Sequence, residues 1–73
     1  MKKDKVTVKN DIIHEKDQLD QKISKLSVFV LSLDFNGLSS QQRGSIHNQL
    51  RAMNEYSIAI RERIIDITKQ ESE

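Results

Sequence analysis

Two side chains stand out for the chemistry they could do together. Tyr56 and Arg63 are seven residues apart, close to two helical turns, so on a helix both lie along one flank. Arginine presents a planar fork that grips phosphate oxygens in pairs, and tyrosine presents a ring face on which a base stacks. Both residue types also anchor protein interfaces, so the pair reads either as the wall of a nucleotide pocket or as an interface anchor. Arg61 sits across Glu62 from Arg63, and Arg43 and Arg51 lie on earlier turns. Each is a phosphate contact or a charge that solvates the outer face. Phe35 reads as a plug closing one end of a folded chain or, if exposed, as a stacking ring. Gln41, Gln42, Asn48 and Gln49 add neutral hydrogen-bonding groups.

Catalytic and metal chemistry find no such support. His14-Glu15-Lys16-Asp17 groups titratable residues, but nothing apolar encloses them to shift a pKa, and adjacent residues on a helix point apart. They read as a solvated face. Glu15, Asp17, Asp20, Lys22 and Lys25 read mostly as pairing partners within a helix, about 0.2–0.5 kcal/mol a pair. There is no cysteine, and the two histidines, His14 and His47, are far apart, which leaves neither a disulfide nor a metal-ligand cluster. Gly37 and Gly44 do not compose a G-x-x-x-x-G-K phosphate loop. The expectation is a binding protein: no enzyme, no catalytic residue, no cofactor and no metal. Duplex nucleic acid is not expected as a ligand, because Glu55, Glu62 and Asp66 interrupt the basic residues and the net charge is only +1.

The elements that must hold these residues are helices. No proline occurs in the chain, so long helices meet few obstacles. Ile12, Leu19, Ile23, Leu26, Val30 and Leu33 recur at helical spacing and predict a first helix over about 11–33, capped by Asn10 or Asp11. Its far end broadens to include Val28, Phe29 and Leu31, which places that end at the centre of an assembly. Asp34-Phe35-Asn36-Gly37-Leu38 breaks the helix, with Asn36 and Gly37 suited to a left-handed turn over 34–39. Ser39 and Gln42 have the spacing of a capping box, opening a second helix over about 40–69. Its stripe is Ile46, Leu50, Met53, Ile60, Ile64 and Ile67, with Ile58, Ile65 and Tyr56 off it. A short connection between two helices makes an antiparallel hairpin. Residues 1–10 form an N-terminal arm: Val6 and Val8 alternate with polar neighbours as in a short strand, against which stands a frayed or helical extension. Residues 70–73 are a frayed tail.

Seventy-three residues bury a small core, and small domains need a disulfide, a metal or association to be stable. With the first two excluded, the expected fold is an all-α, two-helix hairpin assembling as a homo-oligomeric bundle. The longest apolar run, Val28 to Leu31, is four residues, against the roughly 20 of a membrane span. Met1-Lys2-Lys3-Asp4-Lys5 is basic with no apolar segment behind it, so neither a membrane partner nor a secretion signal is expected.

Several segments carry a resemblance: Glu15-Lys16-x-x-Leu19-Asp20-x-Lys22-Ile23-x-Lys25-Leu26-x-x-Phe29, then Phe35-x-x-Leu38, then Gln49-Leu50-x-Ala52-Met53-x-x-Tyr56, and Arg63-Ile64. Over about residues 11–65 the chain resembles the bacteriophage anti-CBASS and anti-Thoeris sponge hairpins, including those of crAss-like phages. The resemblance implies immune evasion in the cytoplasm of an infected bacterial host. A homo-oligomer would sequester a small-molecule nucleotide signal, a cyclic oligonucleotide or a cyclic ADP-ribose isomer, without cleaving it, in pockets between protomers. By position it assigns ligand contacts to Phe35, Arg61 and Arg63; with Tyr56 on the flank of Arg63 and the neutral Gln49, these are the expected ligand-binding residues. Members often carry an arginine just before the first helix, where this chain has Asn10 and Asp11. The alternative is an oligomeric helical adaptor that docks on another protein.

Overall fold

A computed structural model describes residues 5–71, with side chains described over 6–70. Three helices follow one another: α1 over Lys5–Val30, a single short turn α2 over Leu33–Asn36, and α3 over Ser40–Glu71. The long helices α1 and α3 pack against each other as a hairpin. Described residues form no strand.

The start of α1 corrects the expected extended arm. Residues 5–10, where Val6 and Val8 alternate, continue the helix. A lone strand has no backbone partner in this chain, whereas the helix pairs each of its N–H groups internally. Val6 and Val8 pay for that with exposure, at 60% and 38%. Residues 1–4 of the arm and 72–73 of the tail lie outside the described residues.

The turn also departs from expectation. α1 stops at Val30 instead of about residue 33, and Ser32 manages the break with one hydroxyl. Its O–H donates to the Phe29 carbonyl at 2.6 Å, and its oxygen accepts the Phe35 N–H at 3.2 Å. The hydroxyl thus satisfies an orphan donor of α2 and adds a second hydrogen bond to a carbonyl of α1 that already accepts the Ser32 N–H at 2.9 Å. Gly37 has φ −77° and ψ −9°, and no described residue has a positive φ, so the chain reverses without a left-handed residue. α3 opens on a reciprocal capping box. Gln42 N–H donates to Ser39 Oγ at 3.1 Å, and Ser39 N–H donates to Gln42 Oε1 at 3.0 Å.

The core is a thin seam. Ile12, Phe35 and Ile60 are its buried apolar residues, joined by Ser57. Leu19, Ile23, Leu26 and Val30 of the α1 stripe are half-buried, and Leu33 falls outside it at 87% exposure. The radius of gyration is 16.5 Å and the extents are 52 × 20 × 17 Å, where a compact globule of this length would have a radius of about 11 Å. A rod of this shape leaves apolar groups in water. Val28, Leu31, Ile13, Ile58 and Ile65 are 69%, 87%, 43%, 55% and 41% exposed.

Candidate ligand-binding flank

Polar side chains tie the two helices together on both sides of the seam. On one side Ser57, buried in the α3 stripe, donates its hydroxyl to Asp20 Oδ1 of α1 at 2.6 Å. Lys16 Nζ meets the other oxygen of Asp20, also at 2.6 Å. These two hydrogen bonds hold the Asp20 carboxyl below its ordinary pKa. On the other side Tyr56 O–H donates to the Glu15 carboxylate. That bond, and the negative charge behind it, push the Tyr56 phenol above its ordinary value, while the positive charge of Arg63 works in the opposite sense. Arg63 therefore stands within electrostatic reach of the Tyr56 ring.

Gln49, Tyr56 and Arg63 fall on one line. Successive members are seven residues apart on α3, so each turns only about 20° from the last and rises about 10.5 Å. An amide, a half-exposed phenol ring and a guanidinium thus run along one flank beside the seam. The ring is 48% exposed, which leaves aromatic surface for a stacking partner. Gln49 also lines a shallow groove of about 360 Å³ with Met53 of α3 and Lys22, Lys25 and Leu26 of α1. A second shallow groove, of about 410 Å³, lies at the start of α3 among Leu38, Gln41, Gln42, Ser45 and Ile46. There the Gln42 carbonyl is already engaged by the cap of α3.

Two expected contacts fall elsewhere. Arg61 is about 200° around α3 from Arg63, toward Ile58 and Ile65, three and four residues away. Phe35 is 5% exposed. Its ring meets Phe29 edge-on at 6.0 Å and His47 edge-on at 5.4 Å, so in the protomer it is the plug and no face is open to a base. Asn10 and Asp11 lie inside α1, not ahead of it.

Two residues were missed for a physical reason. Lys22 and Lys25 read from the sequence as helix-pairing partners, but among the described residues neither has an ion-pair or hydrogen-bond partner. The acids nearby are spent: Asp20 on Lys16 and Ser57, Asp17 on Gln21, and Glu15 on Tyr56. Their signal was the absence of any acid three or four residues away from either lysine.

A sequence-family model described as Sequestin matches residues 7–66. The chain belongs to the Sequestin family. That agrees with the resemblance to bacteriophage sponge hairpins, and the name Sequestin points to holding a signal molecule rather than converting it. The matched span takes in most of both long helices and the whole turn, and with them Gln49, Tyr56 and Arg63. No curated protein and no solved structure matches the chain. Among the described residues of this Sequestin member, no three His, Cys, Asp or Glu side chains are grouped to hold a metal ion, and no helix is long and apolar enough to cross a membrane.

Proposed function

We propose that the protein is a bacteriophage sponge: it captures a nucleotide second messenger in the cytoplasm of an infected bacterium and holds it uncleaved. The observation that carries the reading is the line of Gln49, Tyr56 and Arg63, exposed beside the seam of a Sequestin-family hairpin. Guanidinium for phosphate, ring for base and amide for a polar edge are the groups that recognise a cyclic oligonucleotide or a cyclic ADP-ribose isomer. Arg61, on the other side of α3, serves the same ligand only from a neighbouring copy. A flank on a rod about 20 Å wide is open on its outer side. Tight capture needs that side closed, and a second copy of the hairpin closes it.

Calorimetry of the full chain against cyclic di- and trinucleotides and the cyclic ADP-ribose isomers tests this reading. Tight binding of at least one is expected, lost in Arg63→Ala, with the ligand recovered intact after the protein is denatured. No heat from any of them at micromolar protein, or recovery of a cleaved ligand, refutes it.

A second reading is favoured by a different observation. Val28, Leu31 and Leu33 crowd one end of the hairpin at 69%, 87% and 87% exposure, as in a module that docks on another protein. A stoichiometric protein partner, retained by Arg63→Ala, would establish it in place of the first.

A further inference from the structure

Lys22 and Lys25 are one helical step apart on α1, three residues, so their Cβ atoms are about 5–6 Å from each other. Like charges at that spacing repel by a few tenths of a kcal/mol, a cost that an anion between them removes. Here the pair has no carboxylate partner among the described residues. Glu15, the acid on the same side of α1, is seven residues from Lys22, about 10.5 Å along the axis and so about a Debye length away in physiological salt. Asp20 projects to the opposite side of the seam and is held by Lys16 and Ser57. Across the groove α3 offers Gln49 and Met53, both uncharged, over a floor that includes Leu26. The result is a shallow groove with two exposed ammonium groups that have no carboxylate partner among the described residues, one amide and an apolar floor.

We propose that this groove is a phosphate-binding site, with Lys22 and Lys25 clasping the oxygens of a phosphodiester or pyrophosphate and the Gln49 amide donating a third hydrogen bond. Leu26 and Met53 support the lysine stems and the carbon skeleton that carries the phosphate. Each ammonium supplies three freely rotating donors, so the clasp tolerates several phosphate geometries where an arginine fork would select one. That the bound phosphate belongs to the captured signal rests on the sequestration reading; that the groove takes a phosphate does not.

The test is a nuclear magnetic resonance titration of the full chain, first with pyrophosphate and then with the nucleotides that bind in calorimetry. Pyrophosphate is expected to shift the amides of residues 22–26 and 49–53 in a saturable way and to weaken with added salt. The double variant Lys22→Gln/Lys25→Gln, on an exposed helix face, should bind about tenfold more weakly or worse. Lys22→Arg/Lys25→Arg should keep the site, and Arg43→Gln/Arg51→Gln should leave it unchanged. Shifts spread over all basic residues without saturation, or an unaltered titration in the double glutamine variant, overturn the proposal. Saturable pyrophosphate binding with no nucleotide bound keeps the groove and removes the sequestration reading. A nucleotide bound equally by wild type and the double glutamine variant keeps sequestration and overturns the assignment of the groove to the captured signal.

Discussion

Ile60 is the large side chain that the hairpin closes completely from solvent, at 0% exposure, and Ile60→Ala measures what the seam is worth. The change removes three carbons at about 0.8 kcal/mol each, or about 2.4 kcal/mol of transfer energy. A cavity left between stiff helices raises this toward the upper part of the usual range of about 2–5 kcal/mol. Alanine returns a few tenths of a kcal/mol through its better helix propensity. A net loss of about 3 kcal/mol follows. Unfolding entropy of about 2.1 cal/mol/K per residue, over 73 residues, is about 0.15 kcal/mol/K, so the melting temperature should fall by about 20 °C. Ile65→Ala is the control, since Ile65 is 41% exposed in the protomer. Circular dichroism melts at two protein concentrations tenfold apart read both terms. A loss at Ile65 that shrinks on dilution reports burial against a second copy. If Ile60→Ala costs less than Ile65→Ala at both concentrations, the α1–α3 seam is not the core and the packing described here is wrong.

Asp20 ionises below its ordinary value of 3.8 because Lys16 and Ser57 hydrogen-bond its carboxylate. Its contribution is therefore present above about pH 4 and lost as pH falls through the lower folded value; thermal melts should show an acid loss that Asp20→Asn flattens. Tyr56 is the one tyrosine in a chain without tryptophan, so tyrosinate absorbance follows it alone. The midpoint should lie above its ordinary value of 10.0 and drop in Glu15→Gln, and the linked stability, present below pH 10, should fade as pH rises through that midpoint. Gly44 lies within α3, and a Cβ there meets nothing within 4 Å. Gly44→Ala should accordingly stabilise the helix by about 0.8–1 kcal/mol in chemical denaturation.

What could be read in the sequence was whatever depends on local spacing. Three- and four-residue steps put Ile12 and Ile60 in the seam, and the Ser39–Gln42 spacing formed the cap it implies. The start of α1 was open to two readings, an extended arm or a helical extension, because two valines in alternation look the same whether or not a partner strand exists; the helical one holds over residues 5–10. The turn was misread because the dual hydrogen bonding of Ser32 outcompetes the glycine-based reversal that Asn36-Gly37 suggests. The site was half legible. Gln49 alone has no diagnostic spacing, and only the shared interval to Tyr56 and Arg63 places it on their line. Lys22 and Lys25 were grouped with the acids of residues 15–20, although none of those stands three or four residues from either lysine; that Glu15 and Asp20 are held by Tyr56 and Ser57 depends on contacts between helices that no local pattern encodes. Phe35 was open to two readings because a turn aromatic is exposed or buried according to how the helices splay.

Those contacts also bear on why a binding rod carries polar groups across its seam. Apolar stripes with steps of three and four repeat themselves, so two helices can slide past each other by two turns and still match greasy side to greasy side. Such a slide would carry Tyr56 away from Glu15 and strand Ser57, at 9% exposure, opposite an apolar neighbour. A buried hydroxyl without a partner costs about 1–3 kcal/mol, about twice what the bond adds in place. The two ties therefore act less as glue than as a selector of register, the use for which buried polar groups in coiled helices are best attested. Register is also what aligns the Lys22–Lys25 pair of α1 with Gln49 of α3 and holds Glu15 against Tyr56. Discrimination against misaligned packings and alignment of the flank come from the same few atoms. A protein that binds without reacting needs little else, because its task is complete once complementary groups from two helices are held at a fixed offset.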